Sequence, residues 1–394
     1  MGNFGLRVRE YLRESAERKL RIGRMTVSRL AILGVGAGIL VAAVAGLLYF
    51  LYGNRSKGIS YARADVASGY QYRIKDDIVT YRADNRLYTY DGARNKSTYY
   101  AVEGIEGYDT SASMTVVYSG SNFQIQGMDQ YRTISNGVIL DVRAGTNCAA
   151  LLFKTPGADR NERFILVINR EMESICTLPF IDSEIVAFDF LSTGSTELLW
   201  VSTMDVGQFT EESIVRIYDC GQNGAMIHYS AAFYNQSIYD AYLSDRCLFL
   251  IGTQTIVRYD RDEDGGFSAE RDRVRVYGST IVDFAAGSET AYFIALPDAA
   301  EGERNSLVRL ITVSQTDDLW SNVMQKYMPS PIVGAFLHGG SICVFTDGIF
   351  LQYSYAGKEL KNIELSDRPV DVLEYGETGF LMITEQNSYR VTLD

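Results

Sequence analysis

A short acidic segment has the spacing of a calcium-binding loop. Asp260, Asp262 and Asp264 occupy alternate positions and are followed by Gly265. Carboxylates at alternate positions beside a glycine turn can wrap Ca2+, because this ion takes oxygen ligands from a sharply bent loop. The twelfth position of the pattern, which normally supplies a bidentate glutamate, is Arg271. The segment therefore predicts a calcium site, and the acidic turn of a β-hairpin is the alternative.

Four further aspartates share one position in a repeated pattern of alternating apolar residues: Asp141, Asp240, Asp283 and Asp371. The first three each lie two residues after an Ile that opens a unit, and the fourth occupies the same place in the last unit. If these units surround a channel, the four carboxylates lie at its mouth and can gather a cation or a basic peptide. The alternative is that each accepts backbone N–H bonds that organise a neighbouring turn.

No residue set predicts an enzyme. The chain contains no Gly-x-Ser-x-Gly elbow, HExxH helix or phosphate-binding loop, and its two histidines, His228 and His338, lie in alternating apolar segments. A glycan hydrolase needs only two suitably spaced carboxyl groups, so it stays an alternative for an acidic chain. Apart from the calcium loop, no cofactor is expected.

The elements that carry these residues are short β-strands. From residue 58 onward, runs of five to eight residues alternate between apolar and polar side chains and are separated by Gly, Asp, Asn and Ser. The aspartates keep a period near 44 residues, since 43 residues separate Asp240 from Asp283 and 88 separate Asp283 from Asp371. Four-stranded units of this length form a β-propeller. We predict eight blades, with seven as the alternative, over 70–102, 105–135, 138–180, 184–233, 238–277, 281–328, 331–366 and 369–394.

The last unit contains only three strands, so its fourth must come from elsewhere in the chain. We predict that Ile59–Val66 supplies it and closes the ring. The four strands of a blade, A to D, are ordered from the channel outward and alternate in direction. The A–B and C–D turns therefore share one face of the propeller, which we call the C–D face. The B–C and D–A turns share the other, which we call the B–C face. The chain then enters the propeller on the C–D face, and the long B–C turns point away from it. Their charged residues are predicted to meet a partner: Asp159, Arg160, Arg163, Glu211, Glu212, Glu301, Glu303 and Arg304.

A 23-residue uncharged segment at residues 30–52 predicts a single transmembrane helix. Residues 1–29 hold eight basic and three acidic residues, which predicts a cytoplasmic N-terminal arm and places residues 58–394 outside the cell membrane, after a linker at 53–57. A cleaved signal peptide is the alternative, but the apolar run is longer than such peptides use. Small residues recur along one stripe of the helix, which favours lateral helix association, although such residues are common in membrane helices: Gly34, Gly38, Ala42 and Gly46.

The charge of the chain limits its partners. Residues 30–394 contain 29 basic and 46 acidic residues, a net charge of −17, which argues against nucleic acid as a partner. Three of the five cysteines, Cys148, Cys247 and Cys343, fall in apolar runs and are predicted to be buried in the core, with a Cys148–Cys176 disulfide as an alternative.

The layout of a basic arm, one span and tyrosine-rich repeats resembles an uncharacterised family of membrane-anchored, propeller-like proteins from clostridia and related Gram-positive bacteria. The resemblance extends to cycles such as Ile256-Val-Arg-Tyr-Asp and Leu351-Gln-Tyr-Ser-Tyr-Ala-Gly-Lys. It implies no known activity. We therefore expect a protein-interaction scaffold at the cell envelope. An extracytoplasmic ligand sensor or carbohydrate-binding module is the first alternative, and a carboxylate-dependent glycan hydrolase is the second.

Overall fold

A computed structural model describes the chain from residue 58 to residue 393, except for short segments at 68–70, 76–77, 84–85, 101–103, 112, 129, 158–161, 194–195, 206–211, 221–225, 263–264, 277, 300–304, 317–320 and 377–378. The predicted arm, transmembrane helix and linker (1–57), with the small-residue stripe, lie outside the described residues. Within the described residues, no helix is both long and apolar enough to cross a membrane.

The described residues form 32 β-strands in eight four-stranded sheets, which confirms an eight-bladed propeller over the seven-bladed alternative. The strands of blades 1 to 4 are β2 (Gln71–Lys75), β3 (Ile78–Ala83), β4 (Arg86–Asp91), β5 (Lys96–Tyr100); β6 (Gly107–Thr110), β7 (Thr115–Ser119), β8 (Asn122–Ile125), β9 (Arg132–Thr133); β10 (Val138–Ala144), β11 (Cys148–Lys154), β12 (Arg163–Asn169), β13 (Ser174–Phe180); and β14 (Ser183–Thr193), β15 (Thr196–Asp205), β16 (Glu212–Asp219), β17 (Met226–Tyr234). Those of blades 5 to 8 are β18 (Ile238–Leu243), β19 (Cys247–Gly252), β20 (Thr255–Arg261), β21 (Phe267–Arg275); β22 (Ser279–Ala286), β23 (Thr290–Pro297), β24 (Leu307–Ser314), β25 (Ser321–Tyr327); β26 (Ile332–His338), β27 (Ser341–Thr346), β28 (Ile349–Ser354), β29 (Glu359–Glu364); and β30 (Asp371–Tyr375), β31 (Gly379–Ile383), β32 (Ser388–Leu393) with β1 (Ile59–Ala64).

The first strand of each blade lies closest to the central axis. β2, β6, β10, β14 and β18 follow one another around the axis through contacts between adjacent first strands, and β22, β26 and β30 continue the ring back to β2. The four strands pair antiparallel in sequence order in blades 1 to 7, and in blade 8 β1 pairs with β32 as the outermost strand. The first strands therefore line the channel, and their side chains are the ones that converge there.

The ring closes in blade 8 by pairing both ends of the propeller. β1 runs antiparallel to β32 through six residue pairs, from Ile59 opposite Leu393 to Ala64 opposite Ser388. The Ser388 hydroxyl also donates to the carbonyl oxygen of Val66 at 2.8 Å. The predicted closure by Ile59–Val66 is confirmed. Because Ile59 lies beside the last strand residue, the chain enters on the C–D face.

The core consists of apolar layers between neighbouring blades. The second strand of a blade has a paired strand on each side and a neighbouring blade against each face. This is why β19 (CLFLIG), β27 (SICVFT) and β31 (GFLMI) are buried at every position rather than at alternate ones. Buried side chains of blades 5 and 6, such as Phe249 and Phe293, pack edge to face with centroids 5.2 Å apart.

All five cysteines lie among the described residues, and none is in a disulfide. Cys148, Cys220, Cys247 and Cys343 are buried. Burial raises the pKa of the Cys148 and Cys247 thiols to about 11, because a thiolate is poorly solvated there. The predicted core role of Cys148, Cys247 and Cys343 is confirmed, and the alternative Cys148–Cys176 disulfide is not formed.

Candidate functional site

A β-bulge at the start of the first strand positions the predicted channel-mouth aspartates. In β10, β18 and β22 the pairing register shifts by one residue directly before Asp141, Asp240 and Asp283. The same shift precedes Ala187 in β14 and Gly334 in β26. A bulge inserts one extra residue and re-aims the side chains beside it. The bulge therefore gives the residue at the aspartate site the same local geometry in each of these strands.

Each of these aspartates accepts a hydrogen bond from the next backbone N–H. The distances from Oδ1 are 2.8 Å to Val142 N for Asp141, 2.8 Å to Ala241 N for Asp240, 2.8 Å to Phe284 N for Asp283 and 2.9 Å to Val372 N for Asp371. The backbone hydrogen bonds that were the alternative to ligand binding are thus formed. Two of the four carboxylates have a further partner, since Asp283 Oδ2 accepts from Leu337 N and Asp141 pairs with Arg143.

The channel wall contains at least one ionisable side chain from every blade: Arg73, Asp109, Arg143, Asp189, Asp240, Asp283, His338 and Glu374. Six of these eight residues were not predicted from the sequence. Arg143 and Asp189 lie two positions after the aspartate site of their strands (Asp141 and Ala187), and this spacing is the sequence signal that would have found them. His338 and Glu374 lie further along their strands. They belong to neighbouring blades, so the contact between them can be found only in the structure.

Blades 1 to 4 form an arc in which acidic and basic groups pair. Arg73 Nε lies 3.1 Å from Asp109 Oδ1, and Arg143 Nη1 lies 2.9 Å from Asp141 Oδ1. Arg143 Nε also lies 4.0 Å from Asp189 Oδ2. These contacts cross from blade 1 to blade 2 and from blade 3 to blade 4, so they tie adjacent blades together while largely neutralising this side of the channel.

Blades 5 to 8 form a second arc that is acidic. Within the part of the chain that the structure describes, neither Asp240 nor Asp283 forms an ion pair with Lys or Arg. Asp283 Oδ2 instead accepts a hydrogen bond from Leu337 N of the next blade at 2.6 Å, and His338 Nδ1 lies 2.6 Å from Glu374 Oε1. Burial raises the pKa of Asp283 to about 6 and also raises that of Asp240. This arc carries more carboxyl groups than basic groups, and its basic side chain His338 pairs with Glu374.

In the predicted calcium loop, the two carboxylates that the structure describes, Asp260 and Asp262, are hydrogen-bonded to other groups of the protein. Arg258, which is only 2% exposed, donates to Asp260 Oδ1 at 2.8 Å from Nε and 2.5 Å from Nη2. Asp262 Oδ1 accepts from Gly266 N at 2.5 Å, as an acidic turn does. Asp264 lies outside the described residues, so a calcium site here stays a prediction. Elsewhere in the described chain, no three His, Cys, Asp or Glu side chains are grouped to hold a metal ion.

Two of the predicted partner-facing loop residues are described. Arg163 begins the third strand of blade 3, and its Nη2 lies 3.0 Å from Glu184 Oε1 of blade 4. Glu212 begins the third strand of blade 4. The other six lie outside the described residues: Asp159, Arg160, Glu211, Glu301, Glu303 and Arg304.

The B–C face carries exposed apolar side chains that the sequence analysis did not single out. Four lie where an outer strand ends, one is the bulge residue of β22, and one directly precedes β30: Tyr100, Ile181, Tyr234, Tyr327, Val282 and Val370. Tyr234 and Tyr327 are 65% and 77% exposed. The C–D face also carries exposed apolar side chains, at the turns or strand starts of Ile78, Tyr131, Ile227 and Leu360.

The closed ring of eight four-stranded sheets defines this chain as an eight-bladed β-propeller. Solved structures share that fold. BamB from Moraxella catarrhalis is 10% identical over 85% of this chain and 98% of its own, with a TM-score of 0.52. The Dos1 propeller is 9% identical over 85% of this chain and 94% of its own, with a TM-score of 0.55. No protein-family model and no curated protein matches the sequence.

Proposed function

We propose that this protein is a membrane-anchored, extracytoplasmic scaffold that binds a protein partner at the cell envelope through its B–C face. The uncharged segment at residues 30–52 and the basic arm before it support the anchor and its orientation. The propeller supports the scaffold, since a closed ring presents many turns on a rigid frame.

The pairing of β1 with β32 supports the choice of face. Ile59 lies beside Leu393, and the third strand of each blade ends on the C–D face. An anchor that precedes Ile59 in the chain is therefore tethered to the C–D face. The B–C face is then the one that an incoming partner meets.

The observation that carries the proposal is the exposed tyrosines at the ends of outer strands. Tyr100, Tyr234 and Tyr327 end β5, β17 and β25 on the B–C face. A tyrosine contributes a large apolar area with few rotatable bonds and a hydroxyl that stays hydrated until it finds a partner, which is why the residue anchors protein interfaces. The C–D face offers a matched control in Tyr131, which is 52% exposed in the C–D turn of blade 2.

The test is crosslinking capture from native membranes with the full chain. The double variant Tyr234→Ser/Tyr327→Ser is compared with the wild type and with Tyr131→Ser. We expect a partner that the wild type and Tyr131→Ser capture equally and that the double variant loses by about tenfold, since central interface aromatics contribute about 2 kcal/mol or more. A second variant shortens the turns at 156–163, 206–212 and 298–305 and should also lose the partner.

Equal recovery by all variants would reject the B–C face as the binding surface. Loss with Tyr131→Ser alone would move the interface to the C–D face. Thermal unfolding of each variant separates loss of binding from loss of folding, because exposed tyrosines contribute little to the core.

A further inference from the structure

We propose that a cavity between blades 1 and 2 binds an uncharged sugar, either free or as the terminal residue of a glycan. The cavity has a volume of about 230 Å³, and most of its lining lies toward the C–D face. Ile78 begins β3 there, Ser111 and Ser113 follow β6, and Gln126 follows β8. The inference goes beyond the proposed function and does not rest on it, since none of the residues changed to test that function lines this cavity.

Threonines form the two walls of the cavity. On blade 1, Thr80 of β3 lies opposite Thr89 of β4, and on blade 2, Thr110 of β6 lies opposite Thr115 of β7. Thr80 is 2% exposed and Thr115 is 8% exposed, so these two side chains occupy interior positions. Second strands of other blades, such as β19 (CLFLIG) and β31 (GFLMI), have only apolar residues and glycine in the interior. The interface between blades 1 and 2 therefore presents hydroxyl groups where those of blades 5 and 8 are apolar.

The apolar packing between these two blades is correspondingly small. Among the described residues, its cluster has four buried members, Leu87, Ile105, Tyr108 and Val117, whereas the cluster between blades 2 and 3 has twelve. Tyr108 also joins the two blades, since its hydroxyl donates to Thr80 O at 3.0 Å. The space that apolar side chains fill between other blades is therefore left open here, beside a fixed contact.

The lining selects against charged ligands. It contains no Asp, Glu, Lys or Arg among the described residues, and its polar groups are the hydroxyls of threonine, serine and Tyr100 and the amide of Gln126. An ion that entered the cavity would lose hydration without gaining an opposite charge. Hydroxyl and amide groups both donate and accept hydrogen bonds, which matches the hydroxyl groups of a sugar.

The apolar part of the lining and the size of the cavity narrow the ligand to one sugar ring. Ile78, Met114 and Tyr100 line the same cavity, and the Tyr100 side chain belongs to a residue that is 38% exposed. The C–H groups of a sugar ring can pack on such side chains while its hydroxyls reach the threonines. The volume of about 230 Å³ is several times the roughly 30 Å³ of one water molecule, and it lies below the range of about 300–1,000 Å³ that holds drug-sized ligands.

Thr89 contributes an unpaired hydroxyl to this site. Within the part of the chain that the structure describes, its buried Oγ1 has no hydrogen-bond partner. Oγ1 and the methyl group exchange places on rotation about χ1, so the hydroxyl can turn toward the cavity without breaking a hydrogen bond. A ligand that pairs with this hydroxyl removes the cost of leaving it unsatisfied.

The test is saturation-transfer difference NMR with the purified full chain, titrated to give Kd. The probes are four neutral sugars (D-glucose, D-galactose, D-mannose and D-xylose) and two charged analogues of glucose (D-glucuronate and D-glucosamine). We expect at least one neutral sugar to bind about tenfold more tightly than both charged analogues, because the cavity offers no opposite charge. No saturable binding of any neutral sugar, or equal binding of the charged analogues, would overturn the inference.

A disaccharide distinguishes the two sources of the sugar. If maltose or lactose binds as tightly as glucose or galactose, the site takes the end of a glycan. If the disaccharide binds more weakly than its monosaccharide, the site takes the free sugar. Either result supports the inference.

Two variants locate the binding in this cavity. Thr89→Val and Gln126→Met each remove a polar group from the lining and keep the approximate size of the side chain, and each should raise the Kd of the neutral sugar about fivefold. The control is Thr98→Val, since Thr98 lies beside Thr89 on β5 but is exposed and outside the lining, and it should leave the Kd unchanged.

Thermal unfolding without sugar separates lost binding from lost folding. Thr89→Val removes an unpaired buried hydroxyl and Gln126 is only partly buried, so neither variant should lower the apparent Tm. An unchanged Kd in both variants, or an equal loss in Thr98→Val, would place the binding elsewhere and overturn the inference.

Discussion

Asp189 shows how a channel wall alters a single carboxyl group. Its side chain is 52% exposed and lies on the first strand of blade 4, near the charged groups of Arg143, Asp109 and Asp240. Desolvation by the surrounding protein raises the pKa of Asp189 from 3.8 to about 6. The Phe190 N–H and the charge of Arg143 oppose the shift, whereas the charges of Asp109 and Asp240 add to it. Asp189 therefore changes charge in mildly acidic solution, unlike an aspartate in water.

The pKa of Asp189 predicts a pH-dependent difference between the wild type and Asp189→Asn. Between about pH 4 and pH 6 the folded state holds the proton more tightly than the unfolded chain, so this residue contributes less stability as the pH rises. We expect the apparent Tm of Asp189→Asn, relative to the wild type, to rise from pH 4 to pH 6 and to level off above that range. A constant or falling difference in thermal unfolding would contradict the raised pKa.

At the scale of the strand, a buried arginine joins blades 5 and 6. Arg258 of β20 holds Asp260 and also donates from Nη1 to Ser314 O at 2.7 Å and from Nη2 to Thr316 O at 2.9 Å. Its five N–H donors match this set of acceptors, as a lysine could not. The acidic segment that the sequence predicted to bind calcium begins at Asp260, near the end of β20. Arg258, two positions earlier, holds this first aspartate in place.

Removing the buried arginine should strongly destabilise the propeller. Arg258→Met removes the guanidinium that neutralises Asp260 and donates to two buried carbonyl oxygens, so we expect a loss of about 3–5 kcal/mol in the free energy of unfolding. Arg273→Met in the neighbouring strand is the control, because Arg273 and Glu270 are 49% and 32% exposed, and it should change stability by about 1 kcal/mol or less. Denaturant unfolding measures both, and similar losses would contradict a special role for Arg258.

At the scale of the whole molecule, the sequence predicted the repeat better than it predicted the channel. The aspartate period located the blades, because the bulge that positions Asp240 and Asp283 recurs in sequence as well as in space. The contact between Asp283 and Leu337 N joins residues 54 positions apart in different blades, and no local pattern contains it. The paired and acidic arcs of the channel likewise follow from which blades are neighbours around the ring.

The closing strand should be separable from the rest of the ring. Deleting Ile59–Ala64 exposes the edge of β32, and an unpaired strand edge invites pairing with another chain. We expect the deletion to lower the apparent Tm and to promote oligomers in light scattering. A synthetic peptide spanning Ile59–Val66 should restore both properties, whereas a scrambled peptide should not. Unchanged stability after the deletion would show that blade 8 needs only three strands.

The closure also fixes an order of events during folding. The bond from the Ser388 hydroxyl to Val66 O joins residues 322 positions apart, so it forms only after almost the entire domain is available, and contacts at such separation form slowly. Until then the ring is an open arc in which Val79 and Tyr81 of blade 1 face water rather than Leu381 and Ile383 of blade 8. Such an intermediate aggregates through its exposed apolar surface, so the yield of refolding should fall as the protein concentration rises.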